Sequence, residues 1–334
     1  MSDKFFVPQN KNAQDCVKNV MKYLSDITYE KVITGQHTQS MAQEELHYIE
    51  QVTGKQPALL GFELLSYSPN INYTDTDDEC MKEVEGNYGT LKRAWEWADK
   101  KGLITFTWHW FSPLGGRSKS FFTVNTDFDA SKAVIEGTPE NTALISDMDM
   151  MAGLLRPFCD KQIPILWRPF HEGEGDWFWW GAKGADAYKE LYRYLYDQLT
   201  NKYGCHNLIW VWNGQNPDWY PGDEYVDIIG EDIYPDAHAH SSESTRFLQA
   251  AGYTESRKMI VLSENGTMPD PDLMLRDGTL WGFFATWSGD FVIHSGTALS
   301  NKYTDEEMLK KIFTHDLVLT REEVPDIRTW PLPQ

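Results

Sequence analysis

The chain has 334 residues, 41% hydrophobic and 14% aromatic, enough for a large core and with flat aromatic surface to spare for a ligand such as a sugar ring. Its 30 Lys and Arg stand against 50 Asp and Glu, a formal net charge of -20. That balance repels phosphate backbones and anionic lipid, which argues against nucleic-acid and membrane partners and leaves a neutral polysaccharide open.

Helical periodicity comes first, over residues 13–25, where Val17, Val20, Met21 and Leu24 share a face. A short strand at 31–34 ends in Gly35, Gln36 and His37, and is followed by a helix over 41–52 and a strand over 58–64. Then come helix 86–101, strand 103–108 tipped by His109, helix 143–160, and a strand around Pro164 that reaches Arg168. Helix 185–201, strands 207–212 and 226–231, helix 245–251, strands 259–263 and 280–285 and helix 305–314 complete the series. Eight strands alternating with helices imply right-handed parallel crossovers, and eight such units close into a barrel. An open doubly wound sheet would want a G-x-G-x-x-G turn after an early strand, and the chain has none. The expected fold is therefore α/β, a single (β/α)8 TIM barrel forming one domain over 1–334. An N-terminal helix at about 13–25 and an extended tail at about 321–334, wrapping the outside, complete it.

Two long connections, 66–85 and 111–140, fall on the carboxyl-end face, where loops shape binding clefts. The first carries Asp75, Asp77, Asp78 and Glu79, which read as a solvated acidic turn, because the EF-hand spacing and its central Gly are missing. Cys16, Cys80, Cys159 and Cys205 show no CxxC spacing and are expected to be free thiols. No apolar run reaches the length of a membrane span and the first residues carry no signal pattern, which fits either a cytoplasmic protein or one whose leader has been removed. Formal glycosylation sequons start at Asn72 and Asn265, and the second is discounted because a glycan there would block the cleft.

At the expected strand ends stand Gln36, His37, Glu63, His109, His171, Glu172, Trp212, Asn213, Asp232, Tyr234, Glu264 and Trp287, which a barrel would gather at one mouth. Gln36, His37, Glu63 and Asn213 read as caps that bond loop backbone. Glu172 and Glu264 end strands four and seven, across the mouth from one another. Two carboxyls flanking a cleft, one protonated and one ionised, are the minimum apparatus for cleaving a glycosidic bond. There is no G-x-S-x-G elbow, H-E-x-x-H helix or P-loop. His109, His171, Glu172 and Asp232 could ligate a metal, but the one His-x-His pair, His238 and His240, sits in a loop, so neither metal nor cofactor is expected.

The segment WRPFHEGEGDWFWWG, from Trp167 to Gly181, resembles the strand-four signature of glycoside hydrolase family 26, mostly β-mannanases. SENG, Ser263 to Gly266, is similar to that family's strand-seven segment, and Trp108-His109-Trp110, Tyr234 and Trp287 follow in the family's order. The resemblance implies a retaining double displacement with Glu172 as acid/base and Glu264 as nucleophile. It further implies that His109, His171, Trp177, Tyr234 and Trp287 line the subsite of the sugar that becomes covalently attached. It implies β-mannan or manno-oligosaccharides as substrate, cut internally or from an end by a monomer without cofactor. A β-1,3-1,4-glucanase or β-1,3-xylanase of the same family, and a non-catalytic carbohydrate-binding barrel, are the alternatives. The family's usual HEMNG becomes HEGEG here, so Gly173 and Glu174 put the leaving-group contacts in question.

Adjacent strand residues point to opposite faces, so His171 and Glu172 can share the cleft only if the backbone bends, and Gly173 and Gly175 are the expected bend. Tyr234 is suited to donate to Glu264, and Arg168 to order a carboxylate or a loop. Trp177 and Trp287 are candidates for sugar stacking, while Trp179 and Trp180 are expected to pack inside.

Overall fold

The computed structural model describes residues 6–294, 298–299 and 302–331. Eight parallel strands pair in chain order: β1 (Val32–His37), β2 (Leu59–Glu63), β3 (Leu103–Thr107), β4 (Ile165–Arg168), β5 (Leu208–Trp212), β6 (Ile228–Ile233), β7 (Met259–Asn265) and β8 (Phe283–Thr286). Pairing of β8 with β1 closes the sheet into the expected barrel. A further short strand, Val318–Leu319, adds to the amino-terminal half of β1.

The strands are short apolar runs buried at nearly every residue, as parallel strands covered on both faces must be. Their inner faces meet in a cluster containing Ile33, Leu59, Leu103, Leu166, Ile209, Val211, Ile228, Val261, Phe283 and Ala285. Helix α1 (Asp15–Ile27) belongs to the same cluster through Val17, Val20, Met21 and Leu24, the face its periodicity marks. It plugs the amino end of the barrel. The outer faces pack against α2 (Glu44–Thr53), α3 (Asp78–Gly86), α4 (Thr90–Asp99), α5 (Pro139–Asp160), α6 (Gly184–Tyr196), α7 (Ser244–Ala251), α8 (Pro271–Asp277) and α9 (Glu306–Thr314).

Several expectations need correction. The connection 66–85 is not all loop, since α3 lies within it. Asp77 caps α3, accepting the Cys80 N–H at 2.7 Å, and Asp78 and Glu79 fill its first turn where negative charge suits the helix dipole. The acidic residues are exposed to solvent as expected, but Asp77, Asp78 and Glu79 start a helix instead of forming a turn. The helix expected over 86–101 begins only at Thr90, because Gly89 takes a left-handed φ of 76°. Helix α8 was not expected at all; its seven residues are too few to display a period. Among the described residues no α-helix links β5 to β6, only short 3-10 turns.

The four cysteines are free and buried. No described helix is long and apolar enough to cross a membrane. The tail turns across α1: Trp330 donates to Asp26 Oδ2 at 2.8 Å and meets Tyr23 edge-on, and Ile327 is buried. The last three residues of the expected tail lie outside the described residues.

Candidate active site

Every second residue of a strand faces the barrel interior, and following that alternation to the carboxyl ends builds the site. Below the mouth the inner residues are apolar or small: Leu166 on β4, Ile209 and Val211 on β5, Ile228 and Gly230 on β6. Two residues further the same faces carry Arg168, Asn213 and Asp232. On β1, β2 and β3 the corresponding positions are His37, Glu63 and Thr107. The crowding is close enough that a Cβ on Gly61 would lie 2.2 Å from the His37 ring, so β2 must be bare there.

Arg168 organises these groups. Fully buried, it donates to Asp232 Oδ2 at 2.9 Å, Asn213 Oδ1 at 2.8 Å and Thr107 Oγ1 at 2.9 Å, and pairs with Glu264. The expectation that Arg168 orders a carboxylate holds, with two carboxylates instead of one. Glu264 would face outward if β7 alternated strictly from Val261. The register against β6 instead slips: Glu231 pairs with Leu262 but Asp232 pairs with Glu264, leaving Ser263 as an extra residue. This bulge re-aims Glu264 into the mouth. Tyr234 also donates its hydroxyl to Glu264, as expected.

Glu172 reaches the same spot from β4 by a different device. Phe170 and Glu172 both take left-handed backbone, φ 52° and 51°, and this lets His171 and Glu172 share the cleft. The bend therefore lies at non-glycine residues, not at Gly173 and Gly175. Gly173 is needed for space: a Cβ there would sit 2.3 Å from the Tyr188 ring. The Glu172 N–H donates to Asn213 O at 2.7 Å, and Trp177, 44% exposed, donates its indole N–H to Glu172 Oε2 at 3.1 Å. One carboxylate oxygen from each of Glu172, Asp232 and Glu264 lies within 4.8 Å of the others.

Around this pair stand the remaining candidates. His109 Nδ1 lies 2.7 Å from Glu63 Oε2, its backbone N–H donates to Glu63 Oε1 at 2.8 Å, and its Nε2 is 3.2 Å from His171 Nε2. Trp287 packs on the His37 ring at 4.7 Å between centroids. Gln36 and His37 bond backbone carbonyls of β8 and β7, the capping role expected of them. Glu63 and Asn213 do more, fixing His109 and Arg168. Trp179 and Trp180 are fully buried, with their indole N–H groups on Trp110 O and His171 O. Asn265, of the discounted sequon, is wholly buried. The importance of Asp232 and Glu63 could have been read from period two, since each is the first charged residue on an otherwise apolar or small inner face.

The surroundings separate the two glutamates electrically. Burial, and then the charge on Glu264, push Glu172 up to about 7. Burial would raise Glu264 as well, but Arg168, His37, Tyr234 and His109 together outweigh it and hold it below the ordinary range. Burial disfavours charge on His109 too, yet Glu63 overcomes it and raises its affinity for a proton, whereas His171, buried and facing His109 and Arg168, is held neutral. Near neutrality the site thus offers a proton on Glu172 facing a carboxylate on Glu264.

Beside the pair opens a cavity of about 300 Å³ lined by His37, Glu63, His109 and Trp287 and, from the two long connections, by Glu83 on the first and Lys119 and Phe121 on the second. Those connections are tied together: Asn72 Nδ2 donates to Gly116 O at 2.9 Å, Ser118 N to Asp75 O at 3.0 Å, and Lys119 pairs with Glu83 at 3.0 Å.

A closed parallel barrel whose fourth and seventh strands bring a protonated and an ionised carboxyl face to face defines a glycoside-hydrolase class of site. The family model described as Glycosyl hydrolase family 26 matches residues 9–323, and the chain belongs to that family. It is 37% identical over 324 residues to a mannan endo-1,4-beta-mannosidase of Thermothelomyces thermophilus, covering 94% of this chain and 62% of that protein. Among solved structures, a GH26-CBM35 beta-(1,4)-mannanase of Podospora anserina superposes with a TM-score of 0.86 at 33% identity, over 98% of this chain and 70% of that one. A beta-mannanase from a symbiotic protist of the termite Reticulitermes speratus, complexed with gluco-manno-oligosaccharide, gives 0.85 at 32% identity, over 96% and 98%. The chain thus spans less than two thirds of the length of the fungal mannosidase it matches.

Proposed function

We propose that this chain hydrolyses β-1,4-mannosidic bonds in mannan, galactomannan or glucomannan with retention of configuration, as one catalytic barrel acting as a monomer. The observation that carries the reading is the Glu172–Glu264 pair, with carboxylate oxygens within 4.8 Å. Retaining enzymes hold their carboxyls roughly 5–5.5 Å apart, whereas inverting ones leave about 6.5–9.5 Å for a water. The similar proteins, a mannan endo-1,4-beta-mannosidase and a beta-mannanase, support mannan over glucan or xylan.

In the first step Glu264 attacks the anomeric carbon as Glu172 passes its proton to the departing oxygen. A glycosyl ester forms on Glu264 and the bond to the leaving sugar breaks. Esterification removes the negative charge that helped to hold the proton on Glu172, so Glu172 becomes a better base. It then takes a proton from water, the resulting hydroxide attacks the anomeric carbon, and Glu264 leaves as carboxylate. Arg168 and Tyr234 keep Glu264 ionised between turnovers. His109, His171, Trp177, Tyr234 and Trp287 line the subsite of the attached sugar. The leaving portion lies on the Glu172 side, and the cavity beyond His109 and Trp287 receives the sugars that precede the cut.

Proton NMR of the first products from mannopentaose tests this directly. The β-anomer should appear first, from a position that also tells end from internal cutting. First appearance of the α-anomer, or hydrolysis confined to mixed-linkage glucan or xylan in parallel assays, would overturn the reading. Persistence of product formation in Glu264→Ala would do the same.

A further inference from the structure

We infer that Glu174 is a positioning residue for the acid/base: its side chain ties the turn carrying Glu172 to Gln215, and through Gln215 to the strand end that holds the nucleophile. The inference rests on the roles proposed above for Glu172 and Glu264. Glu174 stands where the family's usual motif has Asn, a change that on sequence alone points toward the leaving group. Its geometry points elsewhere. Gln215 Nε2 donates to Glu174 Oε1 at 3.1 Å, and Glu174 Oε2 is shut off from solvent, so one oxygen is engaged by Gln215 and the other is closed to a substrate hydroxyl.

Gln215 is itself firmly held. Its backbone is left-handed at φ 54°, its carbonyl accepts the Tyr253 hydroxyl at 2.9 Å, and its side-chain oxygen accepts the Asp232 N–H. Asp232 pairs with Arg168 at 2.9 Å, and Arg168 pairs with Glu264. A continuous run of contacts therefore joins the turn after Glu172 to the counter-ion of Glu264. Such a brace has something to do, because Glu172 sits at φ 51° and ψ 39°, a conformation that non-glycine residues keep only when their surroundings impose it. On its β5 side the turn is held at two points, the Glu172 N–H on Asn213 O and the Glu174 side chain on Gln215. Without the second, Glu172 is free to shift relative to Glu264, while Asp232 keeps its register partner on β7.

A fault confined to the proton donor has a signature that a general loss of structure lacks. Cleavage of mannopentaose needs Glu172 to protonate the leaving oxygen, but expulsion of 2,4-dinitrophenolate from 2,4-dinitrophenyl β-mannobioside does not, and kcat/KM covers only steps up to that departure. Misplacing a catalytic group by about an ångström costs roughly 100-fold. Glu174→Ala should thus lose about 30- to 100-fold in kcat/KM on mannopentaose and less than about 3-fold on the dinitrophenyl substrate. Glu174→Gln, which keeps an acceptor for Gln215, should stay within about 3-fold of wild type on both. Equal losses of Glu174→Ala on both substrates, wild-type behaviour on both, or a Glu174→Gln variant as impaired as Glu174→Ala, would each overturn the inference alone. A wild-type chain that cleaves neither substrate overturns the proposed function, and the inference with it.

Discussion

Glu172 and Glu264 begin with the same intrinsic acidity, and only their neighbours make one a proton donor and the other a carboxylate. Glu172 has burial and a negative neighbour against it, while Glu264 has Arg168 and the Tyr234 hydroxyl in its favour. Activity that needs Glu172 protonated is lost as pH rises through about 7. Activity that needs Glu264 ionised is lost as pH falls through a value below the ordinary carboxylate range. The pH profile of kcat/KM on mannopentaose should accordingly be bell-shaped with its basic limb near 7. Glu172→Gln should abolish that limb and cost about 10²–10⁴-fold. Tyr234→Phe removes a bond that favours ionised Glu264, so the acid limb should move upward by about one pH unit while the basic limb moves less. An acid limb that stays in place would show that Arg168 suffices without the tyrosine.

At the scale of single elements, the site depends on two departures from regular structure: the bulge at Ser263 in β7 and the left-handed residues after β4. Neither leaves a trace in hydrophobic periodicity, since a bulge is one extra residue and Phe170 and Glu172 are not turn formers. Elements also carry buried charge that the chemistry does not use. Asp147 on α5 accepts the Trp110 indole N–H at 2.8 Å and is pushed by burial up to about 7. A carboxyl whose folded pKa lies above its unfolded value of about 3.9 lends stability that is complete below that value and is lost as pH rises to about 7. Asp147→Asn keeps the acceptor and removes the titration. Urea midpoints should then decline less between pH 4 and 7 than in wild type, with the variant the more stable of the two at pH 8.

For the molecule as a whole, the barrel separates stability from chemistry by its two ends. The amino end is closed by α1 and by the tail, in which Ile327 is buried and Trp330 bonds Asp26, while every candidate catalytic group lies at the carboxyl end. Removing residues 326–334 takes away the contacts of Ile327 and Trp330 with the α1 end of the barrel and should cost about 2 kcal/mol, roughly one buried isoleucine. Thermal unfolding should therefore shift downward while kcat/KM at 25 °C stays within about 2-fold of the full chain. A matching fall in kcat/KM would mean that the two ends are coupled.

Much of this was written in the order of residues alone. Eight apolar runs, most of them separated by helical periods, determined the barrel, and period two along β1 to β6 set their polar end residues at one mouth, because side chains alternate along a regular strand. The run WRPFHEGEGDWFWWG pointed to Glu172, and SENG to Glu264. What the chain order could not carry was the meeting of Arg168 with both Asp232 and Glu264, the turn of Glu174 toward Gln215, and the division of protons between like carboxyls. Those depend on distance and burial among residues far apart in the chain, and both quantities come into existence only when the barrel closes.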